Sequence, residues 1–174
     1  MMKTLAFKVI LLAFSMVSLA VNANAGHVKM NGKYAKERTI KKEFNVNADA
    51  LFMAHNSYGN LNITSWNENR VVIEVHIKAN GNDEERVQER LDEINVAFEN
   101  SASMVSATTQ FGNRNNNWNW GWGKRKNVSV QVNYTIKLPI KNKINLSNDY
   151  GNIYLDRIDG QAKISCDYGK MDIG

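Results

Sequence analysis

Asn148-Asp149-Tyr150-Gly151-Asn152-Ile153-Tyr154-Leu155 decides how this chain is read, because the phrase occurs twice more in altered form. The other copies are Asn56-Ser57-Tyr58-Gly59-Asn60-Leu61-Asn62-Ile63 and Cys166-Asp167-Tyr168-Gly169-Lys170-Met171-Asp172-Ile173. Apolar residues stand three and five places after each Tyr, at Leu61/Ile63, Ile153/Leu155 and Met171/Ile173. Others stand six and four places before it, at Phe52/Ala54, Ile144/Leu146 and Ala162/Ile164. Alternation with period two on both sides of a Gly-containing break predicts strand, turn, strand, with one face buried. Tyr150 and Tyr168 are 18 residues apart, about one coil of a β-solenoid, whose repeats bury their apolar faces only by stacking. The expected fold is therefore mainly β, a stacked β-solenoid or β-helix. Tyr58, Gly59, Tyr150, Gly151, Tyr168 and Gly169 are its structural repeat positions. Coils about 4.8 Å apart would let the three rings stack as a ladder; a Tyr stripe that binds ligand is the secondary reading.

Outward from the first copy, residues 43–79 read as one β-unit that ends in the alternating run Val71-Val72-Ile73-Glu74-Val75-His76-Ile77. Residues 82–95 break the rhythm. Asn82-Asp83-Glu84-Glu85 offers an N-cap with a capping-box partner, and Val87, Leu91 and Ile94 fall at helical spacing. The expectation is one inserted amphipathic α-helix covering an end or a face of the sheet. Two strand-like runs follow, about 95–111 and 127–139, and the second alternates through Val128, Val130, Val132, Tyr134, Ile136 and Leu138. Between them, residues 112–126 are polar and carry Trp118, Trp120 and Trp122 at alternate positions, then Lys124-Arg125-Lys126. This reads as the tip of a long β-hairpin. Those six residues are the candidate ligand-binding set, since alternate indoles on an extended segment project from one side. The alternative is that the indoles fold back into the core.

Residues 1–25 carry a basic start at Lys3 and Lys8, an apolar run from Val9 to Ala20, and Ala23-Asn24-Ala25 with small residues at the cleavage positions. This is the pattern of a secretory signal peptide, and the run is too short to span a bilayer comfortably. Export places the protein in the periplasm, at the cell surface or outside the cell. Cleavage after Ala25 leaves 149 of the 174 residues and, with Lys3 and Lys8 gone, lowers the formal charge from +5 to +3. That is too weakly basic for a nucleic-acid footprint. Residues 26–42, with Lys29, Lys33, Lys36, Arg38, Lys41 and Lys42, read as a basic lead-in arm, either solvated or a patch for anionic envelope polymers or lipid head groups. Residues 43–174 are the repeat domain. The chain stops one strand into a coil with no capping segment, so a fragment truncated at its C-terminus, or an end that pairs with something, is expected.

The residues argue against common chemistries. His27, His55 and His76 are scattered, and a single Cys, Cys166, leaves neither a disulfide framework nor a thiolate metal site. Cys166 is read as a small buried residue rather than a nucleophile. No nucleophile elbow or phosphate-cradling glycine loop is present, and no cofactor is implied. Asp149 and Asp167 fall one coil apart, but Asp beside Tyr-Gly in a turn needs no catalysis to explain it.

With its intervening helix and hairpin, the phrase at Tyr58 and Tyr150 resembles a bacterial family of exported β-strand-repeat proteins, many from the Bacteroidetes, known as putative adhesins. The resemblance covers roughly residues 43–174. It implies a right-handed parallel β-solenoid on an exported protein, with no catalytic residues to carry over. The first functional expectation is a non-enzymatic adhesin or cell-envelope scaffold, whose partner is an envelope polysaccharide, a host or neighbouring-cell surface, or a protein. The second is a module that binds glycan or the envelope surface through the Trp segment. An enzyme acting on polysaccharide is the reading the residues favour least.

Overall fold

The computed structural model describes residues 32–112 and 128–174. Residues 1–25, expected to be a signal peptide, and Trp118, Trp120, Trp122, Lys124, Arg125 and Lys126 lie outside the described residues. In chain order the elements are β1 (Tyr34–Asn45), β2 (Leu51–Tyr58), β3 (Leu61–Trp66), β4 (Arg70–Gly81), α1 (Glu84–Asp92), β5 (Ile94–Ser101) and β6 (Met104–Phe111). After the undescribed segment come β7 (Val128–Pro139), β8 (Lys143–Tyr150), β9 (Ile153–Leu155), β10 (Ala162–Tyr168) and β11 (Met171–Ile173).

The strands form a six-stranded sheet in the order β1-β4-β7-β3-β9-β11 and a five-stranded sheet in the order β10-β8-β2-β6-β5. Both sheets are mixed. Pairing is parallel from β7 through β3 and β9 to β11, and likewise from β6 through β2 and β8 to β10. At the other side β1, β4 and β7 pair antiparallel, as do β5 and β6. The architecture is thus mainly β in two mixed sheets sharing one core, not a uniform column of parallel coils.

The core follows the alternation of the sequence. Val71, Ile73, Val75, Ile77 and Ala79 of β4 face inward beside Val132, Tyr134, Ile136 and Leu138 of β7. They meet Phe52, Ala54, Val105, Ala107, Ile144 and Leu146 from the five-stranded sheet. Fully burying one such side chain stabilises the fold by about 1.5–3 kcal/mol. His76 points the other way, half-exposed on the outer surface beside Glu37.

Three expectations need correction. Residues 34–42 are not a solvated arm, because they belong to β1, which pairs with β4 along its full length. Its inward positions include Lys36, whose amine reaches out to Glu84, and Arg38, whose guanidinium turns inward, so the alternation is hidden. The strands on either side of residues 112–126 do not pair as the long hairpin expected there. Those strands, β6 and β7, lie in different sheets, and the hairpin in this region is β5–β6, turned at Ala102 and Ser103. The helix is also shorter than 82–95. Asp83 caps it by accepting from the Arg86 N–H, and Glu93 ends it, so buried Ile94 starts β5 instead. Val87 and Leu91 are buried in the core, where α1 packs on β4, β1, β7 and β5. The Arg38 guanidinium donates to the Ile94 carbonyl and ties β1 to β5 at this side.

Candidate functional site

Each phrase carries the chain from the five-stranded sheet, through a Gly turn, into the six-stranded sheet. Registers Tyr58↔Tyr150↔Tyr168 and Leu61↔Ile153↔Met171 place the three arcs directly over one another. The structure therefore brings Tyr58, Gly59, Tyr150, Gly151, Tyr168 and Gly169 together as one column.

Three repeated contacts hold this column. The residue two places before each Tyr faces inward and donates to the main chain of the rung behind. Asn56 reaches the Val132 carbonyl at 2.9 Å, Asn148 reaches Gly59 at 2.8 Å, and the Cys166 thiol reaches Gly151 at 3.3 Å. The backbone N–H two places after each Tyr is accepted by an Asn side chain of the neighbouring rung. Asn133 Oδ1 takes the Asn60 N–H, Asn60 Oδ1 takes that of Asn152, and Asn152 Oδ1 takes that of Lys170, each at 2.9 Å. Glycine is required between them by close approach. A Cβ on Gly151 would stand 1.9 Å from the Gly59 oxygen, and one on Gly169 would stand 1.9 Å from the Gly151 oxygen.

The rings complete the ladder. Tyr58 and Tyr150 stack at 5.5 Å and 7°, and Tyr150 and Tyr168 at 4.9 Å and 5°; Phe111 meets Tyr58 edge-on at 5.4 Å. Exposure rises along the column, from 41% at Tyr58 to 49% at Tyr150 and 68% at Tyr168. Because the faces of the inner rings cover one another, they offer solvent only their edges. A sugar needs a ring face, and among the described residues of the column the one left uncovered is the outer face of Tyr168.

Two titrating groups are perturbed by this packing. Burial pushes the Tyr134 phenol up to about 12, although Thr109, 2.7 Å away, offers a hydrogen bond that works against the shift. Partial burial, and secondarily the charge of Asp167, pushes the Cys166 thiol up, which makes it a poorer nucleophile at neutral pH. Asp149 is engaged as an acceptor from the Ser57 hydroxyl at 2.9 Å. Asp167 takes the equivalent place one rung on, between the paired Asn148↔Cys166 and Tyr150↔Tyr168. The two carboxylates thus stand side by side on one surface instead of facing across a cleft, as glycosidase pairs do. No group of His, Cys, Asp and Glu that could hold a metal occurs among the described residues. No described helix is long and apolar enough to cross a membrane.

Sequence reading missed the outer face of the five-stranded sheet. There β5, β6, β2 and β8 form a groove of about 480 Å³ around His55, lined by Ser, Thr and Asn side chains together with apolar Met53, Ala54 and Ala97. The signal was present in the outward phase of each strand, but it needs the register between strands to be assembled.

No family model and no curated protein matches the chain. Among solved structures it is similar to a putative cell adhesion protein from Clostridium sporogenes, at 18% identity and a TM-score of 0.46 over 79% of this chain and 61% of that one. It is also similar to a putative adhesin from Bacteroides fragilis, at 15% identity and a TM-score of 0.35 over 78% of this chain and 53% of that one. The chain therefore spans less than two thirds of the length of either.

Proposed function

We propose that this is an exported, non-enzymatic protein of right-handed β-solenoid type that serves as an adhesin or a cell-envelope scaffold. The observation that carries the reading is the use made of the repeated residues. Asn, Gly and Tyr, the positions that recur, are consumed in holding one rung to the next. What the stack leaves free is a broad outer surface of fixed side chains, suited to contact with another surface rather than to enclosing a small substrate. The leader pattern of residues 1–25 supports action outside the cytoplasm. Beads coated with the chain lacking residues 1–25 should attach saturably to isolated envelope fragments or whole bacteria. Absence of attachment to every envelope and cell preparation, together with turnover of any glycan, would count against the proposal and for an enzyme.

A second reading assigns binding to the Trp segment, and rests on the alternation of three indoles ahead of three cations. Replacing Trp118, Trp120 and Trp122 together by Ala should then abolish attachment while the thermal midpoint stays within a few degrees. Loss of hot-spot aromatics typically costs about 2 kcal/mol or more. Binding led by Lys124, Arg125 and Lys126 should also weaken as salt rises. Unfolding of the triple variant would place the indoles in the core.

A further inference from the structure

We propose that the groove on the outer face of the five-stranded sheet binds a neutral polysaccharide chain laid across the strands. The inference rests on the binding-protein reading above and gives it a ligand class and a site. Two outward rows cross the sheet in register. One runs Ala97, Thr108, His55, Ser147 and the other Glu99, Ser106, Met53, Asn145. Together with Gln110 they line the groove of about 480 Å³.

Two properties of these rows point to a sugar chain. First, the hydroxyls, amides and imidazole of the groove make no side-chain hydrogen bond to another described residue. On the inward face of the same strands the polar groups are engaged, as in Thr109 with Asn56 and with Tyr134. Polar side chains fixed on rigid strands and left without protein partners are ready to bond a ligand at little ordering cost. Second, the spacing fits. Neighbouring strands stand about 4.8 Å apart, close to the length of one pyranose unit, so each sugar of a chain crossing the strands meets a fresh donor or acceptor. Met53 and Ala97 give the floor apolar contact for the C–H faces of the rings.

The chemistry also excludes competitors. The one charged side chain lining the groove is Glu99, so an anionic polymer meets repulsion there; the cation next in its row, Lys163, stands one strand beyond the groove on β10. A peptide strand would seek the backbone of a sheet edge rather than a face of side chains.

The test is affinity electrophoresis of the chain lacking residues 1–25, in gels containing hydroxyethyl cellulose, xylan, glucomannan or mixed-linkage β-glucan. Polygalacturonate serves as the anionic control. At least one neutral polymer should retard the protein. Ser147→Arg, which fills the groove from an outward position, should weaken that binding about tenfold or more, equivalent to about 1.4 kcal/mol. His55→Ala, the milder change, should weaken it severalfold with the thermal midpoint unchanged. Retardation by none of the neutral polymers, or only by polygalacturonate, overturns the proposal. So does binding that both variants leave intact, or that only the triple Trp variant loses. Attachment to envelope fragments without any neutral-polymer binding would remove the groove site and leave the adhesin reading standing. Polymer binding without attachment would do the reverse.

Discussion

The carbonyl oxygens of Gly59 and Gly151 do two things at once: each accepts from the inward side chain of the next rung, and each blocks any Cβ on the next arc. Gly151→Ala should therefore be more damaging than its size suggests, since it combines that collision with a φ of +136°. Gly112→Ala is the matched control, with φ +129° and nothing within 4 Å of the added Cβ. It should cost about 1–3 kcal/mol from the backbone alone, and urea denaturation should show Gly151→Ala to be clearly worse. Asn60→Ala removes the acceptor for the part-buried Asn152 N–H, and should cost about 1 kcal/mol, the net worth of a typical hydrogen bond. Tyr134 gives a pH test. Its folded pKa of about 12 lies above the unfolded value of 10.0, so the unfolded chain loses its phenolic proton first. Stability is unaffected by this group below pH 10 and falls as pH rises from 10 towards 12. Tyrosinate absorbance should show one of the six tyrosines titrating later than the rest.

Elements differ in how openly the sequence declares them. β4 and β7 were legible because every inward position is apolar, and the arcs were legible because their phrase repeats. The helix was legible through Asp83, Val87 and Leu91, though not its end, since Ile94 continues the helical spacing while pairing with Phe111. β1 was hidden because Lys36 and Arg38 occupy inward-phase positions on an edge strand, where inward charge also discourages pairing with other chains. The β5–β6 hairpin was hidden because Ala102 and Ser103 carry no Gly, Asn or Pro turn signal. Of the candidate site, the Tyr and Gly column could be read from spacing alone. The groove could not, because His55, Thr108 and Ser147 are far apart in sequence and meet only through register. Leu91→Ala tests the role of α1 and should lower stability by about 2–5 kcal/mol. A thermal midpoint unmoved even by Leu91→Asp would make the helix a free appendage.

On the scale of the whole molecule the two sides of the fold differ. At one side β1, β5 and α1 close the space between the sheets, with Val87, Leu91 and Ile94 buried there. Across the stack, β10 and β11 carry exposed Tyr168, Met171 and Ile173. Exposure rises rung by rung among the described residues of the column, and the contacts change with it, since Cys166 and Lys170 stand where earlier rungs have Asn. The third arc nonetheless lies in parallel register on the second. Engineered thiols test it directly. In a Cys166→Ser background, which removes the only native thiol, Asn145→Cys with Lys163→Cys places the pair at directly opposed positions. Neighbouring strands fall within the span a disulfide bridges. Under mild oxidation that pair should cross-link quickly, seen as the loss of free thiol, while Ser147→Cys with Lys163→Cys, two residues out of register, should lag far behind. Equal rates, or faster linkage of the second pair, would contradict the stacked register on which the account stands.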